Sequence, residues 1–398
     1  MTTRTSKAVV FGAGNIGRGY MAPLLQQSGY DIVFVDADAE LVSLLNQAKE
    51  YTIRLIGDET RDLTVSHAGA LQSAQEAKIA REIASAQLVI TTVGPGNLPF
   101  VAPLIAEGVT QRIARSIKEP LNVIACENMP ESSTSLKKLV LENMSAAEVR
   151  YVEEHVGFPD ATLSRIVADI DEELKKQDPL LIITEDLGEW TADKYGFRGE
   201  IPNINGLEVV ENEQARFERK FYLHNTGHAM CGYLGYFKGY QYMHEAIRDQ
   251  WIEHIVWGAL KESGVAVRKE HGFSEHNIQR YCALLIKRTR NEALQDTVAR
   301  VTRNPIRKLG PTDRFIKPAN LALSYGICPS HLSTGIAAVF FYDGPRDQQA
   351  KELTQMLEKR GITGVLEEIC EVDRESKLAH MVEKEYESLK AYQSSLQE

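Results

Sequence analysis

Three residues able to bind or move protons lie close together in the stretch 217–228. Lys220, Asn225 and His228 are five and three residues apart. On an ideal α-helix, which turns about 100° and rises about 1.5 Å per residue, their side chains fall within an arc of roughly 140°. Lys220 and His228 would then lie about 12 Å apart along the helix axis. This spacing predicts a helix face that lines an elongated polar ligand.

The types of these residues indicate alcohol oxidation. The reaction needs a base for the hydroxyl proton while hydride leaves carbon, and a lysine is a suitable base if burial or a cationic neighbour lowers its pKa. Lys220 follows Arg219 and precedes an aromatic run. The developing alkoxide needs preorganised donors, and Asn225 and Asn128 carry suitable amides. His228 is expected to bind a neighbouring hydroxyl group.

A metal site is the alternative use of the histidines. His224 and His228 are four residues apart, as two metal ligands on one helical turn would be. The residues between them lack the glutamate of a His-Glu-x-x-His motif, and the sequence offers no evident third ligand. We therefore expect no metal in the site and a structural role for His224.

The N-terminus carries a nucleotide-binding pattern, since Gly12, Gly14 and Gly17 form a Gly-x-Gly-x-x-Gly motif after an apolar run. In this motif the glycines allow a tight turn, close approach of a pyrophosphate and tight helix–strand packing. Asp36 follows 19 residues after Gly17, at the end of the next predicted strand. A carboxylate at that place accepts hydrogen bonds from the ribose hydroxyls of a dinucleotide.

The charge of Asp36 selects between cofactors. It disfavours a ribose 2′-phosphate by repulsion, so NAD is expected rather than NADP. Arg18 is a counter-indication, because a nearby cation would suit that phosphate. We expect four further residues to contact the cofactor: Asn15, Ile16, Val93 and Gly94.

The elements that must position these residues differ between the two parts of the chain. The first third alternates β-rich runs, at 7–11, 31–35, 88–93 and 121–125, with helical patterns, which predicts a parallel sheet. In such sheets ligands bind at the carboxyl ends of the strands, where Val93, Gly94 and Asn128 lie.

The remainder of the chain is predicted to be mainly helical. Helices are expected at 216–222, 241–263, 274–288, 291–301, 348–360 and 374–389. The predicted fold class is therefore α/β, with a Rossmann-type doubly wound sheet in a domain at 1–195 and a mainly helical substrate and catalytic domain at 196–398.

Composition excludes several classes of function. The net charge of −10 argues against a broad nucleic-acid or anionic-membrane surface. The polar N-terminus lacks the apolar core of a signal peptide, and no apolar run approaches the roughly 20 residues of a membrane span. The five cysteines are scattered without a Cys-x-x-Cys pair. They are interpreted as reduced thiols of a cytoplasmic protein.

Five cations form a basic stretch within this acidic chain, namely Arg303, Arg307, Lys308, Arg314 and Lys317. One interpretation is a solvated surface with ordinary ion pairs. The other is a clamp for a sugar phosphate, because arginine forks match phosphate oxygens.

The sequence resembles the polyol-specific long-chain dehydrogenase/reductase family. The resemblance rests on the Lys-x4-Asn-x-x-His pattern from Lys220, the Gly-Ala-Gly-Asn-Ile-Gly-Arg-Gly opening from Gly12, and the segments Ala125-Cys-Glu-Asn-Met, Val152-Glu-Glu-His-Val-Gly-Phe and Asp313-Arg-Phe-Ile-Lys-Pro. It implies lysine acid/base chemistry, alkoxide stabilisation by two asparagines, a metal-independent reaction and a monomer. The Lys317-Pro318 match favours the phosphate clamp without selecting which side chains contact the phosphate, and the candidates are Arg307, Arg314 and Lys317.

Within the family, the motifs are most similar to the branch that acts on mannitol 1-phosphate. This implies a small-molecule substrate pair, D-mannitol 1-phosphate and D-fructose 6-phosphate, interconverted with NAD. Two alternatives remain at this stage. One is a dehydrogenase of an unphosphorylated polyol or of a sugar acid of the fructuronate or tagaturonate type. The other is a non-catalytic NAD-binding sensor.

Overall fold

The computed structural model describes residues 6–57, 59–142, 144–167, 170 and 172–395. The chain folds as two compact units, Met1–Phe217 and Glu218–Glu398. The domain boundary between residues 195 and 196 stays a prediction from the sequence.

The described residues of the N-terminal unit include twelve strands. They are β1 (Ser6–Phe11), β2 (Tyr30–Asp36), β3 (Glu50–Ile56), β4 (Thr60–Ser66), β5 (Gly69–Gln72), β6 (Leu88–Thr91), β7 (Leu121–Ala125), β8 (Val156–Gly157), β9 (Ala161–Ser164), β10 (Ile182–Glu185), β11 (Glu189–Asp193) and β12 (Leu207–Val210). Six of them form a parallel sheet in the order β5-β2-β1-β6-β7-β8. Two three-stranded sheets, β10-β3-β4 and β12-β11-β9, accompany it.

The parallel sheet is buried on both faces, which explains the continuous apolar runs of its strands. Along β1, Ala8 and Val10 belong to one hydrophobic cluster, and Val9 and Phe11 belong to another. This alternation follows from the period of two in a strand. The four strands predicted from sequence are β1, β2, β6 and β7 to within two residues, so the predicted Rossmann-type sheet is confirmed.

Helices connect these strands. They are α1 (Ala22–Gln27), α2 (Ala39–Ala48), α3 (Glu76–Ser85), α4 (Leu98–Ala114), α5 (Ser132–Leu141), α6 (Ala146–His155), α7 (Glu172–Gln177) and α8 (Glu213–Arg219). A π-helical turn at Gly17–Met21 precedes α1. The α3 and α4 helices cover one face of the parallel sheet, where Ile79, Ile83 and Ile105 are buried.

The described elements of the C-terminal unit are helices joined by turns and loops. After a π-helical segment at Lys220–Asn225 it contains α9 (Thr226–Phe237), α10 (Met243–Ala246), α11 (Gln250–His271), α12 (Glu275–Thr289), α13 (Val298–Thr302), α14 (Pro305–Leu309), α15 (Ile316–Ser324), α16 (Ser330–Val339), α17 (Gln348–Glu368) and α18 (Lys377–Ser395). The long α11 helix packs against α9, α15 and α16. The predicted helical character of this region is confirmed.

Several predicted helices are wrong in extent. Those at 348–360 and 374–389 end eight and six residues before α17 and α18 do, and two others each span two separate helical segments. The segment 241–263 holds α10 and the first part of α11, because the Asp249 side chain accepts from the backbone N–H groups of Trp251 and Ile252 and so begins a new helix. The segment 291–301 holds a 3₁₀ turn at Glu292–Leu294 and the start of α13. Gln295, with φ of 48°, separates the two.

None of the helices in the described part of the chain combines the length and the hydrophobicity of a membrane span.

Candidate active site

The glycine loop of the N-terminal unit has the geometry that a dinucleotide requires. Gly12 has φ of 89°, and a Cβ there would lie 2.6 Å from the carbonyl oxygen of Thr92. A Cβ on Gly17 would lie 1.9 Å from the carbonyl oxygen of Gly12. At Gly14, by contrast, a Cβ would meet no described atom beyond its own helix within 4 Å. Two glycines are thus required by packing, and the third leaves the loop open to a phosphate.

A helix begins directly after this loop, since the backbone N–H of Arg18 donates to the carbonyl of Gly14 at 3.0 Å. The N–H groups of Asn15 and Ile16 therefore belong to the first turn, whose donors have no intrahelical acceptor. Together with the positive end of the helix dipole, they form the anion-binding part of the predicted cofactor site.

Asp36 and Arg18 differ in the direction of their side chains. The Asp36 carboxylate, at the end of β2, accepts from the N–H of Ala13 at 2.7 Å and lies beside the glycine loop. Arg18 is buried, and its guanidinium donates to the carbonyls of Ala13 and Leu180, both at 2.6 Å. Arg18 therefore links backbone segments inside the unit, whereas the carboxylate of Asp36 lies beside the glycine loop. This arrangement fits NAD, the cofactor predicted from the sequence.

Glu127 organises the loop after β6. Its carboxylate is buried and accepts from the hydroxyl of Thr91 at 2.9 Å, from the N–H of Val93 at 3.0 Å and from the N–H of Gly94 at 2.8 Å. The predicted cofactor residues Val93 and Gly94 are thereby fixed by a side chain from the next strand. Asn128, the adjacent residue, is exposed in a bend after β7.

In the C-terminal unit, Lys220 to Asn225 form a π-helix, so the arc calculated for an ideal α-helix is wrong for these residues. A π-helix bonds residues five apart and occurs often at functional sites. Lys220 and Asn225, which are five apart, thus stand at successive turns. Both side chains are buried, at 8% and 7% exposure, as the proposed proton chemistry requires.

His224 of this π-helix lies among cationic side chains. His224 is buried, and the guanidinium of Arg288 donates to its Nδ1 at 3.5 Å. Burial and the charges of Arg288, His228, Lys220 and, more weakly, Arg314 lower the pKa of His224 well below its ordinary value. His224 is therefore neutral, which fits the structural role predicted for it.

Arg219, which precedes Lys220 in the sequence, contacts a different group of side chains. Its guanidinium donates to Asn277 at 3.1 Å and lies 4.5 Å from the ring centre of Tyr281 and 5.2 Å from that of Phe273. Arg219 therefore anchors the start of the π-helix to α12 and the turn before it.

His228 lies on the wall of a basic cavity. Its Nε2 is 3.0 Å from Oδ2 of Asp296. The cavity has a volume of about 280 Å³. The ionisable residues described on its wall are all basic, namely His228, Arg300, Arg303, Arg307, Lys308 and Arg314. A cavity of this size and charge suits a phosphate group.

Lys308 is the most deeply buried cation of this wall. Its ammonium nitrogen donates to the carbonyls of Val301 and Arg303 and lies 5.5 Å from the ring centre of Tyr233. Burial, followed by the charges of Arg314 and Arg307, lowers the pKa of Lys308 to about 6. An anion that enters the cavity would favour the charged form.

The structure brings only part of the predicted substrate site together. Arg307 and Arg314 line the cavity with His228, whereas Lys317 is exposed at the start of α15 and is not among the described residues of the wall. Arg314 is itself fixed, because its Nε donates to Asp313 at 2.7 Å. No cluster of three or more His, Cys, Asp or Glu side chains within the described ranges has the arrangement of a metal site.

Comparison with known proteins identifies the family. A family model of the mannitol dehydrogenase Rossmann domain matches residues 6–206, and one of the mannitol dehydrogenase C-terminal domain matches residues 214–390. The chain belongs to the mannitol dehydrogenase family. Among its members, a protein of Thermoanaerobacter pseudethanolicus named mannitol-1-phosphate 5-dehydrogenase is 38% identical over 96% of this chain and 98% of its own length. A Bacillus subtilis protein of the same name is 40% identical over 91% and 95%.

Two solved structures of polyol dehydrogenases share the fold of this chain. The mannitol 2-dehydrogenase of Pseudomonas fluorescens, solved as a ternary complex with NAD and D-mannitol, superposes with a TM-score of 0.80 at 19% identity, over 99% of this chain and 94% of its own. A D-sorbitol dehydrogenase in substrate-free form gives a TM-score of 0.80 at 17% identity, over 97% and 93%. The resemblance inferred from the sequence motifs is thus confirmed at the level of family and fold.

Sequence reasoning missed several residues of this family member. Glu127 stands inside a motif that was recognised, yet only the fold shows that it binds the loop after β6. Asp296 and Arg300 form an i, i+4 pair of opposite charge, a pattern visible in sequence. Nothing in the sequence connects that pair with His228, which lies 68 residues away from Asp296.

Proposed function

We propose that this chain is an NAD-dependent dehydrogenase that interconverts D-mannitol 1-phosphate and D-fructose 6-phosphate. The observation that carries the proposal is the cavity of about 280 Å³ that His228 and five other basic side chains line. The two mannitol-1-phosphate 5-dehydrogenases at 38% and 40% identity support the same substrate pair. The family fold and the geometry of the glycine loop support NAD as the cofactor.

The reaction removes a hydride and a proton from one secondary alcohol carbon and its hydroxyl group. NAD⁺ supplies the hydride acceptor when bound. Gly14 and the first helical turn after it hold the pyrophosphate, and Asp36 accepts from the ribose hydroxyls. Val93 and Gly94, held by Glu127, complete the cofactor contacts.

Lys220 is the proposed acid/base. In the oxidation direction its neutral amine accepts the hydroxyl proton while the hydride leaves carbon, and in reduction the ammonium returns it. Lys220 is buried, at 8% exposure, and in this proposal its neutral form is the base in the oxidation direction. The amides of Asn225 and Asn128 stabilise the developing alkoxide, and His228 binds an adjacent hydroxyl. No metal ion takes part in this proposal.

The basic cavity is the proposed phosphate site. Arg307 and Arg314 provide planar donor groups that match phosphate oxygens, and Lys308 adds a buried amine that charges when the dianion enters. Binding energy from the phosphate is available only to phosphorylated substrates, which selects them over free polyols. Lys317 is retained as a weaker candidate because it is not among the described residues of the cavity wall.

The proposal includes a cellular location and an oligomeric state. All five cysteines are free thiols, four of them buried, which suits a cytoplasmic enzyme. The chain is proposed to act as a monomer, and light scattering coupled to size exclusion tests this.

A panel of substrates followed by NADH absorbance tests the function. Purified protein is incubated with NAD⁺ and either mannitol 1-phosphate or mannitol, and with NADH and fructuronate or tagaturonate. We expect turnover with mannitol 1-phosphate and much less with the others. Preference for mannitol or for a sugar acid would show that this compound, and not mannitol 1-phosphate, is the substrate. NADH binding without turnover on any of them would indicate a sensor.

A further inference from the structure

Asp296 joins two parts of the site that sequence reasoning treated separately. It lies between the 3₁₀ turn Glu292–Leu294 and α13, with 6% of its surface exposed. Its Oδ2 is 3.0 Å from Nε2 of His228. Nε and Nη2 of Arg300 donate to Oδ1 and Oδ2 at 2.7 and 2.8 Å. One carboxylate therefore contacts the proposed catalytic histidine and a cation of the basic cavity.

The charge of this carboxylate is secure. Burial alone would raise the pKa of Asp296, but the hydrogen bonds and charges of His228 and Arg300 hold it well below its ordinary value. Its backbone is held as well, because the N–H of Met243 donates to its carbonyl at 2.9 Å. Asp296 is thus a fixed anion at neutral pH.

This contact determines which ring nitrogen of His228 is available. An ionised carboxylate only accepts hydrogen bonds, so Nε2 of His228 carries a hydrogen and donates it. The nitrogen that remains for a ligand is Nδ1. Without Asp296 the ring could rotate and exchange tautomers, and Arg300 would lose the fork that holds it on the cavity wall.

We propose that Asp296 is a positioning residue that fixes the tautomer and orientation of His228 and couples this histidine to the phosphate cavity through Arg300. The proposal rests on the proposed function, because it takes its roles for His228 and the cavity from there. It adds a residue that is not among the described residues of the cavity wall and acts through two that are, His228 and Arg300.

The test separates kcat from KM for fructose 6-phosphate in Asp296→Asn. This variant keeps the shape and removes the charge. We expect kcat to fall about 10- to 100-fold through His228 and KM to rise through Arg300, since each loses a charge-assisted hydrogen bond. The loss in kcat should disappear when Asp296→Asn is made in a His228→Ala background, and the rise in KM should disappear in an Arg300→Ala background. Asp343→Asn, at an exposed aspartate that accepts from Tyr236, is the matched control and should leave both constants unchanged.

Folding is monitored by NADH affinity and thermal melting of each variant. If Asp296→Asn does not fold, the coupling is measured without altering Asp296, from His228→Ala, Arg300→Ala and their combination. The proposal expects the combined effect to differ from the product of the single effects.

Three results would overturn the inference. One is a parental kcat in folded Asp296→Asn, and another is an equal loss of kcat with and without His228. The third is strict multiplicativity of His228→Ala and Arg300→Ala. A parental kcat in His228→Ala would instead contradict the role given to that histidine in the proposed function, and the inference with it.

Discussion

The two units differ in the kind of group that forms the candidate binding site of each. In the N-terminal unit the proposed binding groups are mainly backbone: a turn of three glycines, first-turn N–H groups and a loop fixed by Glu127. In the C-terminal unit they are side chains from several helices, collected around His228. A backbone site depends on local conformation and is encoded in consecutive residues. A side-chain cavity depends on packing between distant segments, so its members are scattered along the chain.

The largest effect is expected from removal of the proposed base, Lys220. Lys220→Ala should lower turnover by roughly 10²- to 10⁴-fold, the usual contribution of a general acid or base. NADH affinity, measured by fluorescence titration, should be unchanged because the predicted cofactor contacts lie in the other unit. Turnover is measured as the steady-state rate with fructose 6-phosphate.

Two results would contradict the role of Lys220. Near-parental turnover in the variant would show that another group moves the proton. Inhibition of the parent protein by a chelator, reversed by zinc, would show that the metal-independent mechanism is wrong.

Each unit contains a buried ionisable group, and burial shifts the two pKa values in opposite directions. It raises the pKa of Glu213 in the N-terminal unit and lowers that of Lys308 in the C-terminal unit. Glu213 in the N-terminal unit is buried and accepts from the hydroxyl of Thr191 at 2.9 Å. Burial raises its pKa from an ordinary 4.5 to about 7, so the folded chain holds the proton more tightly than the unfolded chain. Stability from this group is present below about pH 4.5 and is lost as pH rises through about 7.

Glu213→Gln should therefore flatten the loss of stability between pH 4.5 and about 7. At pH 8 the free energy of unfolding of this variant should exceed that of the parent by on the order of 3 kcal/mol, from 1.36 kcal/mol per pKa unit. Denaturant unfolding at several pH values measures it, and an unchanged pH dependence would show that Glu213 is ionised in the folded chain.

Lys308→Met is the counterpart in the C-terminal unit. The lowered pKa of Lys308, about 6 instead of 10.5, makes the folded chain release this proton more readily, so stability from this group rises with pH between those values. The variant should remove that rise. An identical pH dependence of parent and variant would place Lys308 in a charged state when folded.

Arginine substitutions test whether the scattered cavity acts as a unit. Arg307→Ala and Arg314→Ala should each raise the KM for fructose 6-phosphate about 10- to 150-fold, which corresponds to about 1.5–3 kcal/mol for a charged hydrogen bond. Lys317→Ala is the matched comparison, because this cation lies in the same sequence segment but is not among the described residues of the cavity wall, and its effect should be smaller. A larger effect at Lys317 than at both arginines would move the phosphate away from the cavity.

The smallest expected effect belongs to Asp36. Asp36→Ala should narrow the preference for NAD⁺ over NADP⁺ by about tenfold, near the lower value of a lost charged hydrogen bond. Ratios of kcat/KM for the two cofactors measure it. An unchanged ratio would remove Asp36 from cofactor selection and would weaken the account of the N-terminal unit.

The same contrast explains how much the sequence could predict. The glycine loop, Asp36 and the four strands β1, β2, β6 and β7 followed from local patterns, since turn geometry and strand period are local properties. The π-helix at Lys220–Asn225 did not follow, because an α-helical and a π-helical segment share the same composition. The buried position of Lys308 and the link from Asp296 to His228 depend on how α9, α13 and α14 pack together, which no local pattern encodes.

The central claim is that the helical unit binds the phosphate of the sugar and that the Rossmann unit binds the cofactor. The most direct measurement is kcat/KM with NADH for fructose 6-phosphate and for fructose, in the parent and in the Arg307→Ala/Arg314→Ala double variant. The account predicts that the parent favours fructose 6-phosphate by far more than tenfold and that the double variant loses most of this preference while its rate with fructose changes little. A parent that favours fructose, or a double variant that loses both substrates equally, would contradict it.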